Sequence, residues 1–254
     1  MSEQKDMATE REDLVAGRNA VLELLKSGRP VECVYLQRGL EGSVSRIAAM
    51  ARERGIVVKE VAKAKLDYLV PGSPHQGVVA QTSESRYSEL EDIFTLAGER
   101  GEPPFVILAD GIEDPHNLGA IIRTAEAAGA HGIILPKRRS AGLTFVVTKA
   151  SAGAVEHLPI VRVANLVATM KELKERGIWF YAADLEGTPW HAQDYSGGVG
   201  LVVGAEGAGV SRLVRETCDF AVTLPMRGKI QSLNASVAAG IVMYEIAKQR
   251  IAKE

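Results

Sequence analysis

Cysteine is almost absent from this chain: Cys33 and Cys218 are the only two in 254 residues, and neither belongs to a C-x-x-C or Cys/His cluster. That scarcity argues against a disulfide framework or a metal site of ligand spacing, and it suits two buried thiols in a reducing compartment. Long apolar runs are missing too, since none approaches the roughly 20 residues that a membrane-spanning helix needs. A soluble, cytoplasmic protein without a visible export signal is therefore expected. A surplus of one charge is also lacking. The 30 Lys+Arg against 32 Asp+Glu leave a net charge of -2, so no global field announces a polyanionic partner. Residues 1–88 hold 13 basic against 12 acidic residues (+1), and residues 89–254 hold 17 against 20 (-3). Any affinity for nucleic acid must rest on local clusters such as Lys137-Arg138-Arg139, which can equally be an ordinary solvated loop.

What is present is 46% hydrophobic residues, enough for one large core or two modest ones. Residues 1–13 are highly charged, with Met7 as the one large apolar side chain after the initial Met1, and read as a flexible tail. Order is expected from Leu14. A short helix ending at Gly28, a strand at 31–37, a helix at 43–54, a strand at 56–61, a helix at 63–70 and a strand at 75–81 make a small α/β domain over 14–83. Residues 84–104 are polar and end in Gly101-Glu102-Pro103-Pro104, the composition of a linker carrying one helix at about 88–99. Over 105–254, apolar strands at 105–109, 132–135, 155–163, 179–182, 200–203 and 220–224 alternate with helical patterns. That alternation predicts a mostly parallel sheet covered on both faces.

Three segments of the second domain are unlike ordinary scaffold, and each follows the C-terminal end of a predicted strand, where open α/β sheets place their ligand crevices. In Asp110 to Arg123, Asp114 and Pro115 open a helix whose Leu118, Ile121, Ile122, Ala125 and Ala128 share one face. Arg123 lies on the opposite face, where a solvated arginine is the ordinary alternative. In Gly200 to Ser211 a strand runs into a glycine-rich turn whose spacing matches neither common phosphate loop. Glu206 within that turn would repel phosphate but attract a sulfonium or an arginine. In Leu224 to Ile241, Ser232, Asn234 and Ser236 crowd a helix start, where one cap explains one of them. Ala235, Ser236, Ala238, Ala239 and Gly240 imply close packing against backbone or a partner subunit.

Taken in order, Asp-Pro-His-Asn-Leu-Gly with Arg123, Gly-Ala-Glu-Gly-Ala-Gly, and Leu-Pro-Met-x-Gly-x-x-x-Ser-Leu-Asn-x-Ser resemble the three signature motifs of the SpoU (TrmH-like) branch of the SPOUT RNA methyltransferases. Gly17 to Lys26 and His75 to Ala80 resemble that family's substrate-binding domain, so the likeness runs from about Leu14 to Arg250. The spans 136–144 and 151–159 are similar to the RlmB subgroup, which methylates a guanosine 2′-hydroxyl of 23S ribosomal RNA.

The resemblance implies an α/β fold with a mostly parallel sheet and a C-terminal deep trefoil knot, preceded by a small L30e-like α/β domain. It implies S-adenosylmethionine as cofactor, with Gly204, Leu224, Met226 and Leu233 lining its site, and no metal. Asn117, Arg123, Glu206, Ser232 and Asn234 would surround the reacting ribose, with Glu206 either acting directly or ordering Arg123 and the glycine turn. Arg18, Asn19, His75 and Gln76 are the candidates for gripping RNA, although His75 follows Pro71-Gly-Ser-Pro74 and a turn role suits it equally. A homodimer acting on ribosomal RNA is the implied assembly. The competing readings are a transfer-RNA ribose methyltransferase of the same family and a non-catalytic RNA-binding protein.

Overall fold

The computed structural model describes residues 14–40, 42–82 and 87–251; the expected tail at 1–13, and residues 83–86 where the expected first domain gives way to the linker, lie outside the described residues. In chain order the elements begin with β1 (Leu14–Ala16), α1 (Arg18–Lys26), β2 (Val31–Gln37), α2 (Ser43–Glu53), β3 (Val57–Val61), α3 (Lys63–Leu69) and β4 (Val78–Thr82). Next come α4 (Leu90–Arg100), β5 (Phe105–Asp110), α5 (Pro115–Ala127), β6 (Gly132–Pro136), α6 (Phe145–Ala150), β7 (Ile160–Val163) and α7 (Leu166–Glu175). The chain continues with β8 (Ile178–Pro189), β9 (Gly198–Gly204), α8 (Arg212–Thr217), β10 (Phe220–Thr223) and α9 (Ala235–Ile251).

These elements form two compact units, one holding the described residues up to 82 with 142–156, the other holding 87–141 with 157–251. The first unit is a four-stranded sheet of order β1-β4-β2-β3, with β2 and β3 parallel and β4 antiparallel to β1 and β2. Val44, Ile47, Ala48 and Ala51 of α2 recur at helical spacing and are buried, as are Ala20, Val21, Leu24 and Leu25 of α1. Both stripes meet Val34, Leu36, Val78 and Ala80 in one core. Burying a side chain such as Leu24 or Ile47 contributes about 2 kcal/mol. Residues 142–156 join this unit although the sequence pattern assigned them to the second domain. Arg29 Nη1 reaches the buried Glu156 Oε2 at 3.0 Å, a tertiary pairing that periodicity does not encode.

In the second unit all six strands are parallel, in the order β10-β8-β9-β5-β6-β7. Val106, Leu108, Ile134, Phe180 and Val202 pack with Met170 and Leu173 of α7 and Ile93 of α4. The helix inside the expected linker is thus part of this core, anchored by Ile93, and begins where the Asp92 carboxylate accepts from Glu89 N at 2.9 Å.

Three expectations are corrected. The strand expected at 155–163 starts only at Ile160, because Ala154–Glu156 form a single 3-10 turn and Pro159 cannot donate to a ladder. β8 runs on to Pro189, and its pairing with β10 jumps from Ala182 opposite Ala221 to Thr188 opposite Val222, so the intervening residues bulge out. Cys218 is half-buried rather than buried, while Cys33 is buried as expected.

Candidate active site

Parallel strands all end at the same edge of a sheet, so the three unusual segments emerge side by side. Asp110 at the end of β5 pairs with Gly204 at the end of β9. The Asp110 carboxylate accepts from Ser211 N at 2.7 Å, which ties the far side of the glycine turn back to β5. Within that turn Ala205 and Gly209 exchange backbone hydrogen bonds of 2.8 and 3.1 Å, and Gly207 and Gly209 take left-handed φ values of 80° and 67°. A Cβ on Gly204 would lie 2.1 Å from the Gly209 carbonyl carbon. Glycine is required there because two backbone segments touch.

The first segment turns into α5 as its sequence dictates. Asp114 caps it by accepting from His116 N at 3.0 Å, and Pro115 occupies the first turn. The helix buries Leu118, Ile121, Ile122 and Ala125, buries Asn117, and leaves Arg123 exposed. α9 packs along α5, with Gly240 facing Thr124, and Ala235 and Ala239 are buried. The small residues of α9 therefore meet a helix of the same unit.

Asn234 is where the three segments join. Its side-chain amide donates to Asn117 Oδ1 at 2.9 Å and to Glu206 Oε1 in a short bond. Its carbonyl oxygen accepts from Ser236 N at 3.0 Å, Ser236 Oγ at 2.6 Å and Val237 N at 3.3 Å, capping α9. Glu206 Oε1 also accepts from Ala235 N at 3.3 Å. Of the alternatives left open for Glu206, ordering Arg123 finds no support, since no ion pair joins the two among the described residues. The carboxylate instead sits at the N-terminus of α9, where a negative charge is favoured.

Arg123 and Ser232 are exposed and make no side-chain hydrogen bond among the described residues. Leu224 and Met226 are half-buried and Leu233 is exposed, on the stretch 224–234 that belongs to neither helix nor strand. No group of three or more His, Cys, Asp or Glu among the described residues could hold a metal ion.

In the first unit, Arg18, His75 and Gln76 line one concavity of about 700 Å³ together with Gln37, Lys63 and Asp67. Arg18 donates through its backbone N to Gln76 Oε1 at 3.2 Å, through Nε to Gln76 O at 3.0 Å and through Nη1 to Ser43 Oγ at 3.0 Å. His75 is buried; its Nδ1 accepts from Gly77 N at 2.9 Å, so Nε2 carries the proton donated to Asp67 at 3.0 Å. Gln76 holds φ at 52°, a region that side chains other than glycine seldom visit. Asn19 is exposed on the first turn of α1 and is not part of the lining.

The profile of the SpoU rRNA methylase family matches residues 104–244, and that of the RNA 2′-O ribose methyltransferase substrate-binding domain matches 14–88. The chain belongs to the SpoU methylase family. YacO of Bacillus subtilis, whose name places it among TrmH-family tRNA/rRNA methyltransferases, is 48% identical over 95% of this chain and 98% of its own length. A relative of the same family name from Staphylococcus saprophyticus is 42% identical over 94% of this chain and 96% of its own. Among solved structures, the SpoU methyltransferase AviRb of Streptomyces viridochromogenes, in complex with AdoMet, superposes with a TM-score of 0.80 at 29% identity, covering 94% of this chain and 90% of that one. An AdoMet-bound rRNA methyltransferase of Sinorhizobium meliloti superposes with a TM-score of 0.77 at 30% identity, covering 92% and 86%. The protein is accordingly an S-adenosylmethionine-dependent RNA ribose methyltransferase of the TrmH/SpoU family. The site suits that cofactor. A Cβ on Gly207, Gly209 or Gly228 would meet nothing within 4 Å, so the glycine turn and the irregular 224–234 stretch each present open backbone.

Proposed function

We propose that this protein methylates the 2′-hydroxyl of a guanosine ribose in 23S ribosomal RNA, in the cytoplasm and as a homodimer, in the manner of the RlmB subgroup. The observation that carries the reading is the Asn117–Asn234–Glu206 cluster, which assembles three separate segments at the C-terminal edge of a parallel sheet. The separate first unit and the spans 136–144 and 151–159 favour ribosomal over transfer RNA. We assign the second unit, which takes in the helix of the 84–104 span, a trefoil-knotted SPOUT fold and catalysis, and the first, which takes in 142–156, an L30e-like fold and substrate binding. The return of the chain from the edge strand β10 to the centre of the sheet, where Asn234 meets Glu206, supports the knot. Exposed Val237, Ile241 and Tyr244 on α9 supply an apolar stripe suited to a second copy.

In this reading Gly204, Leu224, Met226 and Leu233 hold S-adenosylmethionine, which supplies an electrophilic methyl group on a sulfonium. The protein's share of the chemistry is then to align the ribose hydroxyl and assist departure of its proton. Arg123 is free to bind the neighbouring phosphate and to stabilise negative charge growing on the 2′-oxygen. A guanidinium keeps its own proton at neutral pH, so it serves as an electrostatic partner rather than as a base. Ser232 Oγ, which is uncommitted, can relay the proton. Asn234 differs from both, because its amide and carbonyl are already engaged; with Glu206 and Asn117 it is a positioning group. Arg18, Gln76 and the exposed Asn19 form the RNA-gripping surface of the first unit, and buried His75 holds the turn that carries Gln76.

The test is incubation of the purified protein with labelled S-adenosylmethionine and unmodified 23S ribosomal RNA or transfer RNA, followed by nucleoside analysis. Labelled 2′-O-methylguanosine from the ribosomal RNA alone is the expected result. Label in transfer RNA alone keeps the chemistry and overturns the substrate. No label and no cofactor binding would instead mark a non-catalytic RNA-binding protein.

A further inference from the structure

The loop that follows β6 carries the densest run of positive charge in a region whose balance is otherwise acidic, with Lys137, Arg138 and Arg139 adjacent in residues 89–254. All three side chains are exposed, and none is ion-paired among the described residues. A solvated loop of no function has little reason to be held in place, yet this one is fastened at both ends. At its start Lys137 N donates to Val163 O at 2.8 Å, and the Arg162 guanidinium donates to Lys137 O at 3.2 Å while lying 4.7 Å over the Tyr87 ring. At its end Ala141 N donates to Ile112 O at 2.9 Å, joining it to the stretch that leads from β5 into α5 and Arg123. Between these anchors Arg139 takes a left-handed φ of 57°, a conformation that residues other than glycine seldom adopt. β6 lies beside β5, with Ile134 opposite Leu108, so the loop leaves the same sheet edge as Asp110, one strand away.

We infer that Lys137, Arg138 and Arg139 form a preset phosphate-binding loop that tracks the RNA backbone beside the target nucleotide, and so position the substrate without taking part in methyl transfer. The inference rests on the proposed function for the identity of the RNA. It goes further in naming a contact outside the family's three motif segments and in making that contact electrostatic and sequence-independent. Three free cations held in one shape bind successive phosphates without first breaking ion pairs, and each contact releases counterions.

The experiment compares wild type with the K137Q/R138Q/R139Q protein, the single variants and K171Q, an exposed lysine on α7, as control. Binding of 23S ribosomal RNA and of transfer RNA is titrated by filter retention across a salt series, and methyl transfer is followed under steady-state conditions. The expected result for the triple variant is RNA binding weakened about tenfold or more near 0.15 M salt, with the log–log salt slope shallower by about 2. KM should rise correspondingly, with kcat, S-adenosylmethionine affinity and melting temperature unchanged, and each single variant should show a smaller shift of the same sign. RNA affinity and salt slope equal to wild type, or a fall in kcat with KM unchanged, overturns the inference. If wild type methylates neither RNA, the proposed function fails while the binding titration still decides whether the loop grips phosphate.

Discussion

Arg18 in the first unit donates three hydrogen bonds to its neighbours and His75 uses both ring nitrogens, whereas Arg123 and Ser232 in the second unit have no side-chain partner among the described residues. The first arrangement builds a fixed surface. Groups already satisfied by the protein recognise a partner by shape and residual polarity, at little cost in ordering. The second leaves Arg123 and Ser232 without a side-chain partner among the described residues, while Asn117, Glu206 and Asn234 hold one another. The contrast is between groups held by their neighbours and groups left without a partner, and it can be tested by substitution on each side.

Arg123→Lys should have the largest effect. A lysine keeps the charge and loses the fork, so single-turnover methyl transfer should fall about 100-fold or more with melting temperature unchanged. A near-normal rate would remove Arg123 from the chemistry.

Stability of the second unit should depend on pH through His131, which is fully buried. Phe105 N donates to its Nδ1 at 2.9 Å, and Nε2 lies 3.1 Å from Glu102 Oε2 without hydrogen-bond geometry. Burial, with Arg100 and Arg250 nearby, pushes its pKa down from 6.5 to about 4. The unfolded chain therefore takes up a proton first as pH falls. Stability is complete above about pH 6.5 and declines toward pH 4, by a total on the order of 3 kcal/mol. Urea midpoints at pH 7 and 4.5 read the change, and His131→Gln should flatten it.

Gly204→Ala should come next, since its Cβ would collide with the Gly209 backbone. About 1–3 kcal/mol of stability and most of the cofactor affinity should be lost together, by calorimetry and denaturation. Asn234→Ala removes the cap of α9 and should cost about 1 kcal/mol. It should lower kcat without altering RNA affinity, since Asn234 positions and does not bind. The smallest effect expected is that of Arg18→Ala, a loss of RNA affinity of roughly fivefold, about 1 kcal/mol, with S-adenosylmethionine affinity intact. An equal loss of cofactor binding in that variant would erase the distinction between the units.

Much of the second unit is legible in the sequence. Leu118, Ile121, Ile122 and Ala125 announced the buried face of α5, and Asp114 with Pro115 announced its start, because caps and apolar stripes are local signals. Asn234 among three candidate caps was not separable by local pattern, since Ser232, Asn234 and Ser236 all suit a helix start. The partner of Glu206 was equally hidden. Residues 142–156 read as part of the second domain because periodicity carries no record of the Arg29–Glu156 pair, and the linker reading of 84–104 could not show that Ile93 enters a core.

The sequence alone determined the alternation of strands and helices, the glycine turn, the caps and the order of the three motifs, all of which depend on residues a few positions apart. Only the tertiary structure decided that Asn117, Glu206 and Asn234 share one hydrogen-bonded cluster, while Arg123 makes no side-chain hydrogen bond among the described residues. Those residues are separated by up to 117 positions, and contacts at that range are set by which strands become neighbours in the sheet, a choice no local preference encodes.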